Sequence, residues 1–142
     1  SLIGIYEYFE GLYNHHFQDK RITISNKIKK INELISLHEE EIANPILKYL
    51  DDSENFKLIG KNKISNKNRA PTISFTSKKM SSKMLSKKLV DNQIATRNDN
   101  FYAWRCLKAL GIDADDGVVR ISLAHYNSIE ETKKLIKVFD KI

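Results

Sequence analysis

The spacing of the apolar residues changes near Asp51-Asp52, and this change constrains the fold more than any other feature of the chain. Before that point apolar residues recur at helical intervals, which predicts a first helix ending near Phe17 to Lys20 and a much longer second helix starting near Ser25. Pro45 lacks an N–H and clashes with the preceding turn, so the second helix should kink or restart there. It should stop by Asp51-Asp52.

Beyond Asp52, short apolar runs lie between turn residues, a pattern typical of strands. They predict strands at 56–59, 72–75, 94–97 and 118–123, with a polar surface loop from 61 to 70. Helices are predicted at about 81–91 and 102–110, the first with Met84, Leu85, Leu89 and Val90 inward and the second ended by Gly111. Ser128 and Glu131 have the spacing of a capping box that begins a last helix.

These elements predict an α+β fold: a short antiparallel or mixed sheet of about four strands, covered on one face by helices and preceded by two longer helices. A chain of 142 residues with 41% hydrophobic content can build one ordinary core, so residues 1–142 should form one domain. The first residues run straight into a helical pattern with no initiator Met, which suggests a piece of a longer chain. With no apolar run of membrane-spanning length and no leader pattern, we expect a soluble, cytoplasmic protein.

Cys106 is the single cysteine, so the chain can form neither an internal disulfide nor a zinc site built on cysteine pairs. Inside a short predicted helix, it is expected to be a small buried core residue. The histidines lack a regular ligand spacing, and no metal site is expected.

The net charge of +6 is carried mainly by lysine, and residues 55–90 contain no acid. Such a stretch could make the chain a non-enzymatic binding module for an anionic partner such as RNA or lipid. A solvated lysine face is favoured instead, because the stretch is poor in the arginine and stacking aromatic residues of nucleic-acid surfaces. We therefore expect no nucleic-acid and no membrane partner.

Three stretches, 69–75, 94–103 and 118–128, resemble the C-terminal part of class V aminotransferases, a group that includes the cysteine desulfurases and selenocysteine lyases. The most specific is the run Arg-x-Ser-Leu-x-x-Tyr-Asn-Ser-x-Glu-Glu that begins at Arg120. The similarity covers essentially the whole chain in order. It implies that residues 1–142 are the C-terminal small domain of a fold type I enzyme dependent on pyridoxal phosphate (PLP), without its N-terminal PLP-binding large domain.

By this resemblance Arg120 binds the α-carboxylate of an amino-acid substrate, and Arg97 lies at the edge of the active site. The planar guanidinium fork of Arg120 suits a carboxylate, which it can bind through two parallel hydrogen bonds. The alternative is that Arg120 pairs with an acid such as Asp116.

Arg97 opens a loop that in the desulfurases runs Arg-x-Gly-x-x-Cys. Here Asp99 stands at the glycine position and Tyr102 at the cysteine position. A phenol cannot form a persulfide, so persulfide chemistry at this loop is not expected. Cys106, four residues further on, is not a convincing replacement.

PLP enzymes need a Schiff-base lysine, a carboxylate for the pyridine nitrogen and donors for the phosphate. The chain has no His-Lys pair, and its five glycines form no phosphate loop. The resemblance therefore implies PLP in the parent enzyme, none bound to this piece, and no activity of the piece alone. Its own large domain and a second copy in a homodimer are the implied partners. Transamination, desulfuration, elimination and racemisation all remain open, as does an inactive parent.

Overall fold

The computed structural model describes residues 2–19, 21–65 and 69–142, so residues 66–68 of the predicted loop lie outside the described part. The helices are α1 (Leu2–His16), α2 (Ile24–Asp52), α3 (Ser82–Asp91), α4 (Trp104–Ala109) and α5 (Ile129–Phe139). The strands are β1 (Phe56–Ile59), β2 (Thr72–Ser77), β3 (Arg97–Asp99) and β4 (Val118–Ser122). Among the described residues, no helix combines the length and the apolar character needed to cross a membrane.

The chain divides into two compact units, Ser1–His38 and Glu39–Ile142. In the first unit, α1 meets the beginning of α2 through an ion pair of 2.9 Å between Lys27 Nζ and Glu10 Oε1. Tyr13 is the buried side chain of α1, and Lys27 Nζ lies 5.3 Å from the centroid of its ring. Polar and aromatic contacts thus join the two helices of this unit.

The second unit is built on a sheet of four antiparallel strands in the order β1-β2-β4-β3. The predicted α+β fold class is confirmed. One face of the sheet packs against α2, α3 and α5. This core consists mainly of Ala43, Ile46, Leu47 and Leu50 from α2, Leu85 and Leu89 from α3, Leu135, Val138 and Phe139 from α5, and Phe56, Ile73, Phe75, Val119 and Ile121 from the strands.

A smaller apolar cluster lies on the other face of the sheet. Val118, on the opposite side of β4 from Val119, packs there with Leu107 of α4 and with Ala114. Phe101, half-buried, also joins this cluster. The short helix α4 therefore covers one end of this face.

Two helix ends agree with the sequence prediction. Ser128 Oγ accepts the Glu131 N–H, and the Glu131 carboxylate accepts the Ser128 N–H, so the capping box is confirmed. This hydrogen bond from the Ser128 backbone is the main cause that lowers the pKa of the Glu131 carboxyl below its ordinary value. Gly111 has a left-handed φ of 69° just after α4, as predicted.

At Pro45, α2 continues as one helix, so the predicted restart does not occur.

The prediction of a strand at 94–97 was wrong, because β3 begins only at the end of that range. Gln93 adopts a left-handed φ of 61° and donates its N–H to the Val90 carbonyl at 2.8 Å. The Ile94 N–H donates to the Leu89 carbonyl at 2.9 Å. These two bonds form the Schellman closure of α3, whose hydrophobic contact is made by Ile94. An apolar residue that appeared to start a strand therefore ends a helix.

The inward face of α3 was predicted correctly only at Leu85 and Leu89, which are fully buried. Met84 and Val90 are more than half exposed. Ser86 takes an inward position and lies 3.1 Å from the Thr96 hydroxyl, so a satisfied serine replaces an apolar side chain there.

Candidate carboxylate-binding site

The strand β4 alternates between the two faces of the sheet, and this alternation positions Arg120. Val119 and Ile121 are buried in the core, at 0% and 4% exposure. Because successive side chains of a strand point to opposite faces, Arg120 lies on the face away from α2, α3 and α5. It is half-buried there. A strand fixes the direction of this side chain more firmly than a loop would.

The register brings the two predicted arginines together. Arg120 of β4 lies directly opposite Arg97 of β3 and, on its other side, opposite Ser74 of β2. Residues directly opposite in an antiparallel pair share a face, with Cβ atoms about 4.5–5.5 Å apart. Two arginine side chains and one serine side chain therefore start from adjacent positions on this face. The structure thus places the arginines side by side.

Phe101 supports the guanidinium group of Arg120. The Arg120 Cζ atom lies 4.0 Å from the centroid of the Phe101 ring. At this distance the cation interacts with the negative face of the ring, and the flat stack orients the plane of the fork. Sequence analysis missed Phe101, because a lone aromatic residue between a predicted strand and a predicted helix carries no signal of this contact.

The backbone around Phe101 is strained. Phe101 and Tyr102 have φ values of 51° and 60°, in the left-handed region that bulky side chains rarely adopt. Asn100 Oδ1 accepts the Tyr102 N–H at 3.0 Å, and Asp99 Oδ1 accepts the Asn100 N–H at 2.7 Å. Strain of this kind persists only where surrounding contacts enforce it, and it clusters at functional sites.

Gly117 is one of those surrounding contacts. It has a φ of 71°, and a Cβ atom at this position would lie 2.4 Å from the backbone C and O atoms of Asp99. Only a glycine allows the turn before β4 to approach the end of β3 so closely. The sequence alone does not reveal this function of Gly117.

The pairing of Arg120 with Asp116 does not occur. The Asp116 carboxylate accepts the Ser82 N–H at 3.0 Å and 2.9 Å through its two oxygens, at the start of α3. Among residues 2–19, 21–65 and 69–142, no ion pair within 4.0 Å includes Arg120 or Arg97. Both guanidinium groups are therefore available to an external anion.

The two other side chains singled out in this loop region are on the surface. Tyr102, at the cysteine position of the desulfurase pattern, is fully exposed. Cys106 is also exposed, so the prediction that it is a buried core residue was wrong. In the six-residue helix α4 the buried side chain is Leu107, and the neighbouring Cys106 points elsewhere around the helix.

The groove that Lys57 lines does not fit PLP. Lys57 lines a groove together with Asp113 and Asp116. Both carboxylates already accept backbone N–H groups, Asp113 from Asp115 and Asp116 from Ser82. A phosphate group in this groove would also face their negative charge. A Schiff-base lysine, a free carboxylate and phosphate donors are therefore not assembled there.

Comparisons with known proteins agree on one family. The model of the family described as aminotransferase class-V matches residues 25–135. The aminotransferase-like protein FGM3 of Gibberella zeae is 29% identical over 115 residues, which cover 80% of this chain and 29% of that protein.

Solved structures of similar fold cover the same part of the chain. A cysteine desulfurase from Thermococcus onnurineus is 25% identical with a TM-score of 0.65, over 83% of this chain and 29% of that structure. The cysteine desulfurase CsdA of Escherichia coli is 19% identical with a TM-score of 0.62, over 75% of this chain and 24% of that structure. The chain thus spans less than a third of the length of each of these three proteins.

Proposed function

The chain belongs to the class V aminotransferase family, and from this premise we propose that it is the C-terminal small domain of a PLP-dependent enzyme that acts on an amino acid. In this proposal Arg120 binds the α-carboxylate of the substrate, with Arg97 beside it. One observation carries the proposal: Arg120 is half-buried on the face of the sheet away from the main core, rests on the Phe101 ring and has no acidic partner among the described residues.

The physical case for Arg120 rests on preorganisation. A guanidinium fork donates two parallel hydrogen bonds to the two oxygens of a carboxylate. The strand fixes the base of the side chain and the Phe101 ring supports its end. Less side-chain entropy is then lost when the carboxylate binds. Partial burial also strengthens the attraction, because water screens it less than at an open surface.

The remainder of the enzyme supplies the other parts of the reaction. PLP, when bound, supplies the electron sink for chemistry at the substrate carbon. We place its lysine and phosphate donors in an N-terminal large domain, since this chain matches only 29% of FGM3 and the groove lined by Lys57 does not assemble those donors. The small domain would close over the cofactor cleft and would be inactive alone. We also propose that the parent enzyme is a homodimer in the cytoplasm.

The loop after Arg97 argues against one type of reaction, sulfur transfer through a persulfide. The relatives of known structure include cysteine desulfurases. Tyr102 has no thiol, and Cys106 lies on another element, α4. We therefore propose that the parent enzyme does not transfer sulfur through a persulfide at this loop.

The role of Arg120 is tested by titrating the chain with acetate at constant ionic strength and following the backbone N–H signals of β4 by NMR, because these signals remain when Arg120 is replaced. Arg120→Gln should weaken acetate binding by at least about tenfold, the loss expected for a bidentate charged contact. Arg105→Gln is the matched control, because Arg105 is an exposed arginine on α4. Equal acetate affinity in the two variants would overturn the proposed role.

The proposed location of the cofactor site is tested separately. The chain is mixed with PLP, reduced with borohydride and mapped by mass spectrometry. Scattered labelling of surface lysines well below one adduct per chain is the expected result. A single stoichiometric adduct at one lysine would reveal a cofactor site within this chain and would contradict the proposal.

A further inference from the structure

We infer that the site takes an amino acid with two anionic groups: Arg120 binds the α-carboxylate and Arg97 binds a second carboxylate on the substrate side chain. This inference rests on the proposed function, because it assumes that Arg120 binds the α-carboxylate. It adds a class of substrate, the acidic amino acids, to that site.

The first argument is the placement of like charges. Arg97 and Arg120 are direct cross-strand neighbours on one face of the sheet. Like charges directly opposite in a sheet destabilise it. Among the described residues, no acid forms an ion pair with either arginine to offset this repulsion. A bound ligand that carries two negative charges would offset it fully, whereas a single carboxylate leaves one positive charge uncompensated.

Asp99 is the acid to consider first as a compensating partner, because it lies on the same face of β3 as Arg97. Its Oδ1 atom accepts the Asn100 N–H at 2.7 Å, and neither arginine lies within ion-pair distance of it. Its carboxylate is turned to the strained loop. Asp99 therefore holds the loop that carries Phe101 and leaves the two guanidinium groups open.

The second argument is the difference between the two arginines. Arg120 is half-buried in a central strand and is held by Phe101. Arg97 is exposed in β3, one of the two edge strands of the sheet. One fork already satisfies both oxygens of a single carboxylate. The second fork, at the open edge, can then bind a carboxylate at the far end of the same molecule, and the reach of its side chain tolerates different substrate lengths.

Ser74 completes the environment on the other side of Arg120. It lies opposite Arg120 in β2 and is half-buried. A hydroxyl group can donate a hydrogen bond to a carboxylate and does not repel it. The strip across the sheet from Ser74 to Arg97 therefore presents only anion-compatible groups in register.

The experiment compares succinate with acetate as probes on the chain, at one ionic strength, and follows the side-chain N–H signals of Arg97 and Arg120 by NMR. Succinate should shift both signals and bind roughly tenfold more tightly than acetate, since a second charged hydrogen-bonded contact is added. Arg97→Gln should abolish the preference for succinate, so that this variant binds succinate and acetate with affinities within about twofold of each other. Arg105→Gln should preserve the preference for succinate.

The outcomes separate this inference from the proposed function. If succinate binds no more than about twofold more tightly than acetate, which is the statistical factor for two carboxylates, the inference is wrong while Arg120 can still be the acetate site. If acetate shifts Arg97 and Arg120 equally and Arg97→Gln weakens acetate binding, one carboxylate is shared and the inference is also wrong. If Arg120→Gln leaves acetate binding intact, the proposed function itself fails.

Discussion

The two faces of the four-stranded sheet differ in what completes them. On one face Phe75 is fully buried, and its ring centroid lies 5.8 Å from that of Phe56 and 5.5 Å from that of Phe139. On the other face Arg97 and Arg120 lie side by side and form no ion pair among the described residues. The first face is completed by the chain's own helices, whereas we propose that a ligand completes the second. In β4, the side chains on one face stabilise the fold, and the side chain on the other face is the proposed binding group. The comparison suggests that each role can be changed without the other.

The largest expected effect is on the helix-covered face. Phe75→Ala would leave a cavity among Phe56 and Phe139, and should lower the free energy of unfolding by about 3–5 kcal/mol. Urea unfolding measures this loss. Acetate affinity of the folded fraction should stay within about twofold of the parent chain, since the two faces are expected to act independently. A large loss of acetate affinity in the folded fraction would show that the two faces of the sheet do not act independently.

Gly117→Ala should affect both stability and binding, because Gly117 lies where the turn before β4 contacts the end of β3. The new Cβ would lie 2.4 Å from backbone atoms of Asp99, at a residue with a φ of 71°. We expect a loss of about 1–3 kcal/mol in unfolding free energy together with weaker succinate binding, as the strand carrying Arg97 is displaced. Chemical denaturation and the succinate titration measure the two effects. Retention of full succinate affinity would show that the contact with Asp99 does not position Arg97.

Phe101→Leu should act on the open face alone. The ring lies 4.0 Å from Arg120 Cζ, and its loss should weaken acetate binding by about 0.5–2 kcal/mol, the range of cation–π contacts. Calorimetry or NMR titration gives this value. Phe101→Tyr keeps the aromatic face and should restore most of the affinity. If Leu and Tyr at this position bind acetate equally well, Phe101 does not support the guanidinium group.

The last expected effect is confined to alkaline pH and to the helix-covered face, and it is absent at neutral pH. The Tyr49 hydroxyl donates to Asp140 Oδ1 at 2.8 Å, and burial, reinforced by this bond, raises the pKa of Tyr49 to about 12 from its ordinary value of 10.0. The unfolded chain therefore ionises first, so stability present below pH 10 should be lost between about pH 10 and 12.

Tyr49→Phe removes this titration. The difference in unfolding free energy between the parent chain and the variant should be constant below about pH 10 and should shrink above it. A difference that does not change with pH up to 12 would mean that Tyr49 titrates alike in both states.

Much of the fold could be predicted from the sequence, because it depends on local signals. The change of apolar spacing near Asp52, the capping box at Ser128 and the left-handed Gly111 each appear where the residues predict them. The resemblance to class V aminotransferases is likewise confirmed. One local signal led to a wrong prediction, because the apolar residue Ile94 closes α3 instead of starting a strand.

The site could be predicted only in part. The resemblance selected Arg120 and Arg97, but their opposition follows from a strand register that a single sequence does not state. The left-handed backbone of Phe101 depends on contacts from distant parts of the chain, such as that of Gly117 with Asp99. Cys106 was placed wrongly because the apolar stripe of a six-residue helix is too short to determine its orientation. Long-range contacts therefore account for the opposed arginines and the left-handed backbone, whereas a local pattern that is too short accounts for Cys106.

The central claim is that the open face of the sheet is a carboxylate site centred on Arg120. A crystal structure of the chain grown with succinate tests it most directly. The account predicts one carboxylate bound by two parallel N–H···O bonds from Arg120, over the Phe101 ring, with the other carboxylate at Arg97. An Arg120 side chain found paired with an acid of the chain, such as Asp99 or Asp116, and no succinate on this face would contradict it.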